Sequence, residues 1–276
     1  QAPAETASSV MVYLDDMSRE SFQQDHLEKD FQRALDRNEL TLNYQPKVNL
    51  ETGKINGVEA LIRWTHPEAG FVPPPTIISL AETLGEMSEL GQWVMEEACL
   101  QVKEWTEMVQ RSFRLGVNVS ALEFQQGEDF LKAVQEILDS TGFPAQNLMV
   151  EITETEAMND IQFTINLLEE LKKLGVSVAI DDYGTGESSL KYLSKFPDPV
   201  VKIDRAFVNG ATEDPTSKAI VKNTVKLAED LGLETIAEGV EREEEETFLK
   251  SLGCDSYQGY YFSKPVDAET FSERFL

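Results

Sequence analysis

Glu59, Asn118, Glu151, the pair Asp181–Asp182, Lys202 with Asp204, Glu238 with Glu241, and Gln258 each stand at the end of a short apolar run. A single acid in such a place is more often a loop charge or a helix cap. DDYGTG is rich in turn formers, and Glu151 and Glu154 have positions suited to capping a following helix. The recurrence is what points to chemistry. Two carboxylates about 4 Å apart repel by about 4 kcal/mol at an effective dielectric of 20. Several gathered in one place would mostly be protonated unless divalent cations were bound. Glu, Asp and Asn oxygens suit an octahedral ion such as Mg²⁺ or Mn²⁺. Adjacent Asp181 and Asp182 can serve two ions, one carboxylate bridging. Two ions about 3.5–4 Å apart clamp the attacking and leaving oxygens of an in-line phosphoryl displacement. Lys202 would stabilise charge on the phosphate, and Arg63 suits a bidentate phosphate contact. Residue types and spacing thus reach a two-metal phosphoesterase.

Those residues need a scaffold that gathers strand ends. Residues 18–38 read as a helix, with Phe22, Leu27, Phe31 and Leu35 at helical spacing and a stop at Asn38. Segments 40–48 and 54–64 flank ETGK and read as an antiparallel hairpin, and 66–75, with three consecutive prolines, reads as loop. Helical patterns over 76–85, 90–110, 127–140, 160–174, 187–194, 215–231 and 243–251 then alternate with the runs RLGVNVS, NLMVEIT, GVSVAIDD, PVVKID, LETIAEGV and SYQGYYF. Alternating strand and helix implies a mostly parallel α/β sheet, and eight strands imply a TIM-type (β/α)₈ barrel with one antiparallel strand. In that fold the C-terminal strand ends meet at one mouth.

The chain has 276 residues, with 24 Lys+Arg against 50 Asp+Glu, a net charge of −26. Such acidity excludes binding nucleic acid or an anionic membrane by bulk electrostatics, and makes a bound cation the means of accepting an anionic substrate. Cys99 and Cys254 form no disulfide framework and read as buried thiols of a reducing compartment. With only His26 and His66, a His/Cys zinc site is excluded. No stretch approaches about 18 consecutive apolar residues, so no segment reads as a membrane span. Beginning at Gln1, the chain reads as a piece of something longer. EREEEE, 241–246, reads as the acidic first turn of a helix.

The motifs YQPKVNLETGKINGVEALIRWTHPEAGFVPP, LGQWVMEEAC, GVNVSALEF, VEITETE, AIDDYGTGESSL, VKIDRAFV, IAEGVE and YQGYYFSKP resemble the EAL family of cyclic diguanylate (c-di-GMP) phosphodiesterases over about residues 27–272. Glu59-Ala60-Leu61 is the namesake tripeptide. The resemblance implies two-metal hydrolysis of c-di-GMP to linear pGpG with Mg²⁺ or Mn²⁺, Ca²⁺ binding without supporting turnover, in bacterial signalling. It implies Glu59, Asn118, Glu151, Asp181 and Asp182 as metal ligands, with Glu238 either a metal-site carboxylate or the general base. Lys202 would hold the nucleophilic water or phosphate, with Gln258 and Glu241 completing the polar wall. Gln45, Leu61, Arg63 and Asp204 would touch the dinucleotide, and Glu154 would tether the loop after the fifth strand.

That loop usually reads DFGTGYSSL in the family. Here Tyr183 replaces Phe and Glu187 stands where Tyr is frequent, a charge in a segment linked to metal binding and dimerisation. The resemblance therefore implies a domain over 25–276, a linker over 1–24 ending a connector from an upstream GGDEF-like domain, and a homodimer through the loop around Asp182–Leu190. It implies the cytoplasm, or the cytoplasmic part of a membrane-anchored sensor. The alternative is a catalytically inactive c-di-GMP receptor. Such relatives lose metal ligands, whereas every expected acid is present here.

Overall fold

The computed structural model describes residues 26–34, 37, 39–184 and 193–276. The expected linker over 1–24, the start of the first helix, Leu35, Asn38, Glu187 and most of the expected 187–194 helix lie outside the described residues. The described residues form two compact units, one from 42–62 with 88–276 and the other from the described residues up to 41 with 63–87.

The larger unit is a closed barrel. Its strands are β1 (Leu40–Asn49), β2 (Ile55–His66), β4 (Arg114–Asn118), β5 (Leu148–Thr153), β6 (Ser177–Tyr183), β7 (Val200–Ile203), β8 (Thr235–Ala237) and β9 (Ser256–Tyr257); β3 (Gly70–Val72) belongs to the smaller unit. Neighbours from β2 through β9 pair in parallel. β1 pairs with both β2 and β9, closing the ring, and runs antiparallel to β9. The reason is local. β1 reaches β2 through a short turn in which Asn49 Oδ1 accepts the Thr52 N–H at 2.8 Å. A parallel crossover needs a dozen or more residues, so this connection reverses the chain. A final strand, β10 (Val266–Asp267), pairs with Asn43 and Tyr44 of β1.

Helices cover the outside of the ring with apolar stripes. On Met87–Val109, Val94, Ala98, Val102 and Trp105 recur at helical spacing and are all buried. Trp105 stacks on Phe271, 4.3 Å between centroids, from the helix Ala268–Phe275. Sequence reading did not resolve that terminal helix, nor the short helices Ala121–Phe124 and Glu154–Asn159. Inside the ring, Met149, Ala179, Val200 and Ile236 form a separate apolar cluster. Each lies two residues before Glu151, Asp181, Lys202 or Glu238, hence on the same strand face. The polar residues therefore sit one layer above an apolar plug.

In the smaller unit the helix over 26–34 precedes β1, and Trp64–His66 of β2 pair with β3. The expected 66–75 loop is corrected here: it contains β3, and the next helix starts at Pro74. Proline fits there because the first helical N–H groups have no intrahelical acceptor. His66 Nε2 lies 3.3 Å from Asp30 Oδ2, and its Nδ1 accepts the N–H groups of Glu68 and Ala69. Cys99 and Cys254 are buried free thiols. Among the described residues no helix is long and apolar enough to cross a membrane.

Candidate metal centre and active site

β2, β4, β5, β6, β7 and the turn after β8 deliver Glu59, Asn118, Glu151, Asp181, Lys202 and Glu238 to the C-terminal mouth of the parallel strands. Parallel register aligns them: Asn118 is opposite Glu151, and Thr153 opposite Asp181. The Glu59 carboxylate is held on both sides. Asn118 Nδ2 donates to its Oε1 at 2.6 Å, and Gln258 Nε2 donates to its Oε2. Gln258 Nε2 also donates to Gln45 Oε1 at 2.9 Å, and Gln45 donates to the Ser263 carbonyl.

At the centre is Lys202, fully buried. Its ammonium lies 2.5 Å from Glu151 Oε2, 2.7 Å from Asp181 Oδ2 and 2.7 Å from Glu238 Oε1. Burial works against that charge, but Glu151, Glu238, Glu59 and Asp181 hold the lysine well above its ordinary pKa. For Glu151 burial favours the neutral form. Lys202 and Lys47 overcome it and hold the carboxyl down at about 2. Glu238 goes the other way. Burial is the main cause, Lys202 opposes it, and Asp181 and Glu59 add repulsion, leaving the carboxyl at about 8.

Adjacent strand residues ordinarily face opposite sides, yet Asp181 and Asp182 both reach the site. The β6–β7 register shifts between Ile180 and Tyr183, and Asp182 has φ +54°. This bulge, in a left-handed conformation that Asp tolerates, turns the second carboxylate inward. Oxygens of Asp181, Asp182 and Glu238 then lie within 4.8 Å of one another. Burial, the Asp181 charge and a hydrogen bond with Asp204 raise Asp182 to about 6. The set fits a metal cation. Its donors are hard oxygens, and the charge that now balances them is an ammonium, a role a cation can take over.

Glu154 is buried in the first turn of its helix, capped by Thr153 with Glu156, and its Oε2 accepts the Gly184 N–H at 2.9 Å. The end of β6 is therefore tied to that helix. Other expected residues have these surroundings. Leu61 is half-buried on β2, two residues beyond Glu59; Asp204 caps a short helix through the Ala206 N–H; and Glu241 is exposed, its N–H donating to buried Glu245. Arg63 is half-buried in the smaller unit. Sequence reasoning missed Lys47, buried on β1 and paired with Glu151 Oε1. The signal was present, since Lys47 is two residues from Gln45 and shares its strand face. The acids read only as the first turn of a helix contain Glu245, which is buried and joined to Arg242. Glu154 Oε1, Tyr183 OH and Gln258 Oε1 are buried with no hydrogen-bond partner among the described residues.

The sequence profile of the EAL domain matches residues 28–265. The chain belongs to the EAL domain family. It is 40% identical over 253 residues to the bifunctional diguanylate cyclase/cyclic di-GMP phosphodiesterase MucR of Pseudomonas aeruginosa, covering 92% of this chain and 37% of that protein. It is 34% identical over 260 residues to the cyclic di-GMP phosphodiesterase PdeR of Escherichia coli, covering 94% of this chain and 39% of that protein. The EAL chain thus spans less than two-fifths of the length of these relatives. Among solved structures, the PaMucR phosphodiesterase in its c-di-GMP complex superposes with a TM-score of 0.85 at 40% identity, covering 89% of this chain and 99% of that one. The barrel with its antiparallel strand is the fold of this family.

Proposed function

We propose that this EAL domain hydrolyses c-di-GMP to linear pGpG with two Mg²⁺ or Mn²⁺ ions. The observation that carries the reading is the convergence of Asp181, Asp182 and Glu238 within 4.8 Å, beside Glu59 and Asn118 at the barrel mouth. The relatives named as c-di-GMP phosphodiesterases supply the substrate class.

Glu59, Asn118, Glu151, Asp181, Asp182 and Glu238 would hold the ions. When bound, such ions stabilise charge on the attacking and leaving oxygens and lower the pKa of water. The chain's own groups do the rest. Gln258 and Asn118 keep the Glu59 carboxylate turned inward. Lys202 carries positive charge at the point where a phosphate would gain negative charge. Glu238, in contact with Lys202, serves either as an ion ligand or as the base that takes the water proton. Water oxygen bonds to phosphorus, one P–O3′ bond breaks, and the leaving oxygen gains a proton. Gln45, Leu61, Arg63, Asp204 and Glu241 would contact the dinucleotide, and Glu154 holds the start of the loop after β6. The complete acid set argues against the inactive-receptor reading.

The test is chromatography of a metal-supplemented reaction. Linear pGpG is the expected product with Mn²⁺ or Mg²⁺ and is absent with Ca²⁺. Tight c-di-GMP binding with no product at saturating Mn²⁺ would overturn the proposal in favour of a receptor.

A further inference from the structure

Lys47 lies beneath the site, on the opposite oxygen of Glu151 from Lys202. It is 2% exposed and pairs with Glu151 Oε1, while Lys202 contacts Oε2 at 2.5 Å. The arrangement is built in. A Cβ at Gly116 would fall 1.9 Å from Glu151 Oε1 and 2.4 Å from Lys47 Nζ, so a side chain at this position of β4 would push the pair out of its present arrangement. The Lys47 side chain is 3% exposed and that of Glu151 fully buried, so water does not compete for Oε1.

A carboxylate can offer a cation one oxygen or two. With Oε1 paired to Lys47, Oε2 is the oxygen that meets the ammonium shared with Asp181 and Glu238, and it keeps a lone pair beside that contact. One-oxygen carboxylates suit Mg²⁺ and Mn²⁺, which require near-octahedral geometry. Two-oxygen carboxylates suit Ca²⁺, which takes six to eight ligands. We propose that Lys47 is a positioning residue that restricts Glu151 to one-oxygen ligation and so biases the site toward small octahedral ions over Ca²⁺. The proposal rests on the reading of Glu151 as a metal ligand.

Isothermal titration of Mn²⁺ and of Ca²⁺ into metal-stripped native protein and the K47M variant tests it. Loss of the lysine charge strengthens binding of both ions alike, so the readout is the ratio of the two dissociation constants. The expected shift in K47M is about tenfold toward Ca²⁺, the scale of losing a partner of a metal ligand. An unchanged ratio, with both ions still binding, overturns the role of Lys47 and leaves the metal centre standing. Native protein that binds neither ion removes the metal centre and the proposal together. A crystal structure of the native protein loaded with Mn²⁺ supplies a test that does not depend on the variant folding. Oε2 on the ion with Oε1 on Lys47 supports the proposal, and both oxygens on the ion overturns it.

Discussion

Lys202 places its ammonium 2.7 Å from the carboxylate of Glu238, joining the end of β7 to the turn after β8 in the middle of the acid cluster. The same ammonium touches Glu151 and Asp181. Lys202 is therefore the cation shared by all three acids, with Lys47 adding a second on Glu151 alone, and its removal leaves Asp181 and Glu238 without that partner.

Lys202→Met is expected to destabilise the metal-free protein by about 3–5 kcal/mol, the usual scale for stripping one partner from a buried ion pair. Urea unfolding at pH 7 in the presence of chelator measures it. Saturating Mn²⁺ is expected to recover part of the loss, because the ion replaces the missing charge. A variant as stable as native protein would show that the ammonium has no such role.

Stability of the metal-free protein should depend on pH in a defined direction. Glu238 at about 8 and Asp182 at about 6 are raised above the unfolded carboxylate range. Their contribution is complete below about pH 4 and is lost as pH rises through 6 and then 8. Glu151, held at about 2, contributes above the unfolded range and loses this as pH falls toward 2. The melting temperature in chelator is therefore expected to fall from about pH 5 to pH 9. Millimolar Mn²⁺ should oppose that fall, since the ion prefers ionised carboxylates and binds only the folded site. Melting curves that are flat with pH and unmoved by Mn²⁺ would contradict this account.

Glu59 receives hydrogen bonds from Asn118 and Gln258 on its two oxygens. Glu59→Gln keeps the shape but removes the charge and presents an amide donor to those donors. Product formation is expected to drop by about 100-fold or more, the upper range for disturbing a metal-site ligand and its partners. Quantified pGpG release at saturating Mn²⁺ checks it, with circular dichroism showing that the barrel is retained.

Tyr183 is buried and its hydroxyl has no hydrogen-bond partner among the described residues. A buried unsatisfied polar group costs about 1–3 kcal/mol. Tyr183→Phe removes the hydroxyl and keeps the ring, so it is expected to raise stability by about 1 kcal/mol. Thermal denaturation reads this as a higher melting temperature. A lower one would reveal a partner for the hydroxyl in solution.

Much of this was legible from residue order. Alternating strand and helix patterns identify the barrel, and acids at strand ends identify its mouth, because both follow from short-range periodicity. The turn ETGK was enough to place one strand against the rest. What escaped depends on three-dimensional detail. β3 and the first turn of the expected 76–85 helix, which starts at Pro74, were hidden by a three-proline run that reads as loop but also suits a helix start. The helix Ala268–Phe275 shows itself only when Phe271 meets Trp105. Lys47 shares the strand face of Gln45, but alternation alone does not say that its ammonium meets Glu151. The convergence of Asp181 and Asp182 depends on a bulge at Asp182, which strand alternation alone would not provide.

The closure of the ring by β1 sets when a working site can first exist. Residues Val48 and Asn49 pair with Tyr257 and Ser256, Asn43 and Tyr44 pair with Asp267 and Val266, and Gln258 holds Glu59 from 199 positions away. As the chain emerges from the ribosome, its N-terminal carboxylates are made long before the strand that fixes them. Contacts of such sequence separation form late. A chain stopped short of this last strand carries nearly all the acids of the centre yet leaves β1 unpaired along one edge. Partly made protein is therefore expected to be inert, and the centre assembles as one event when the barrel's last segment arrives.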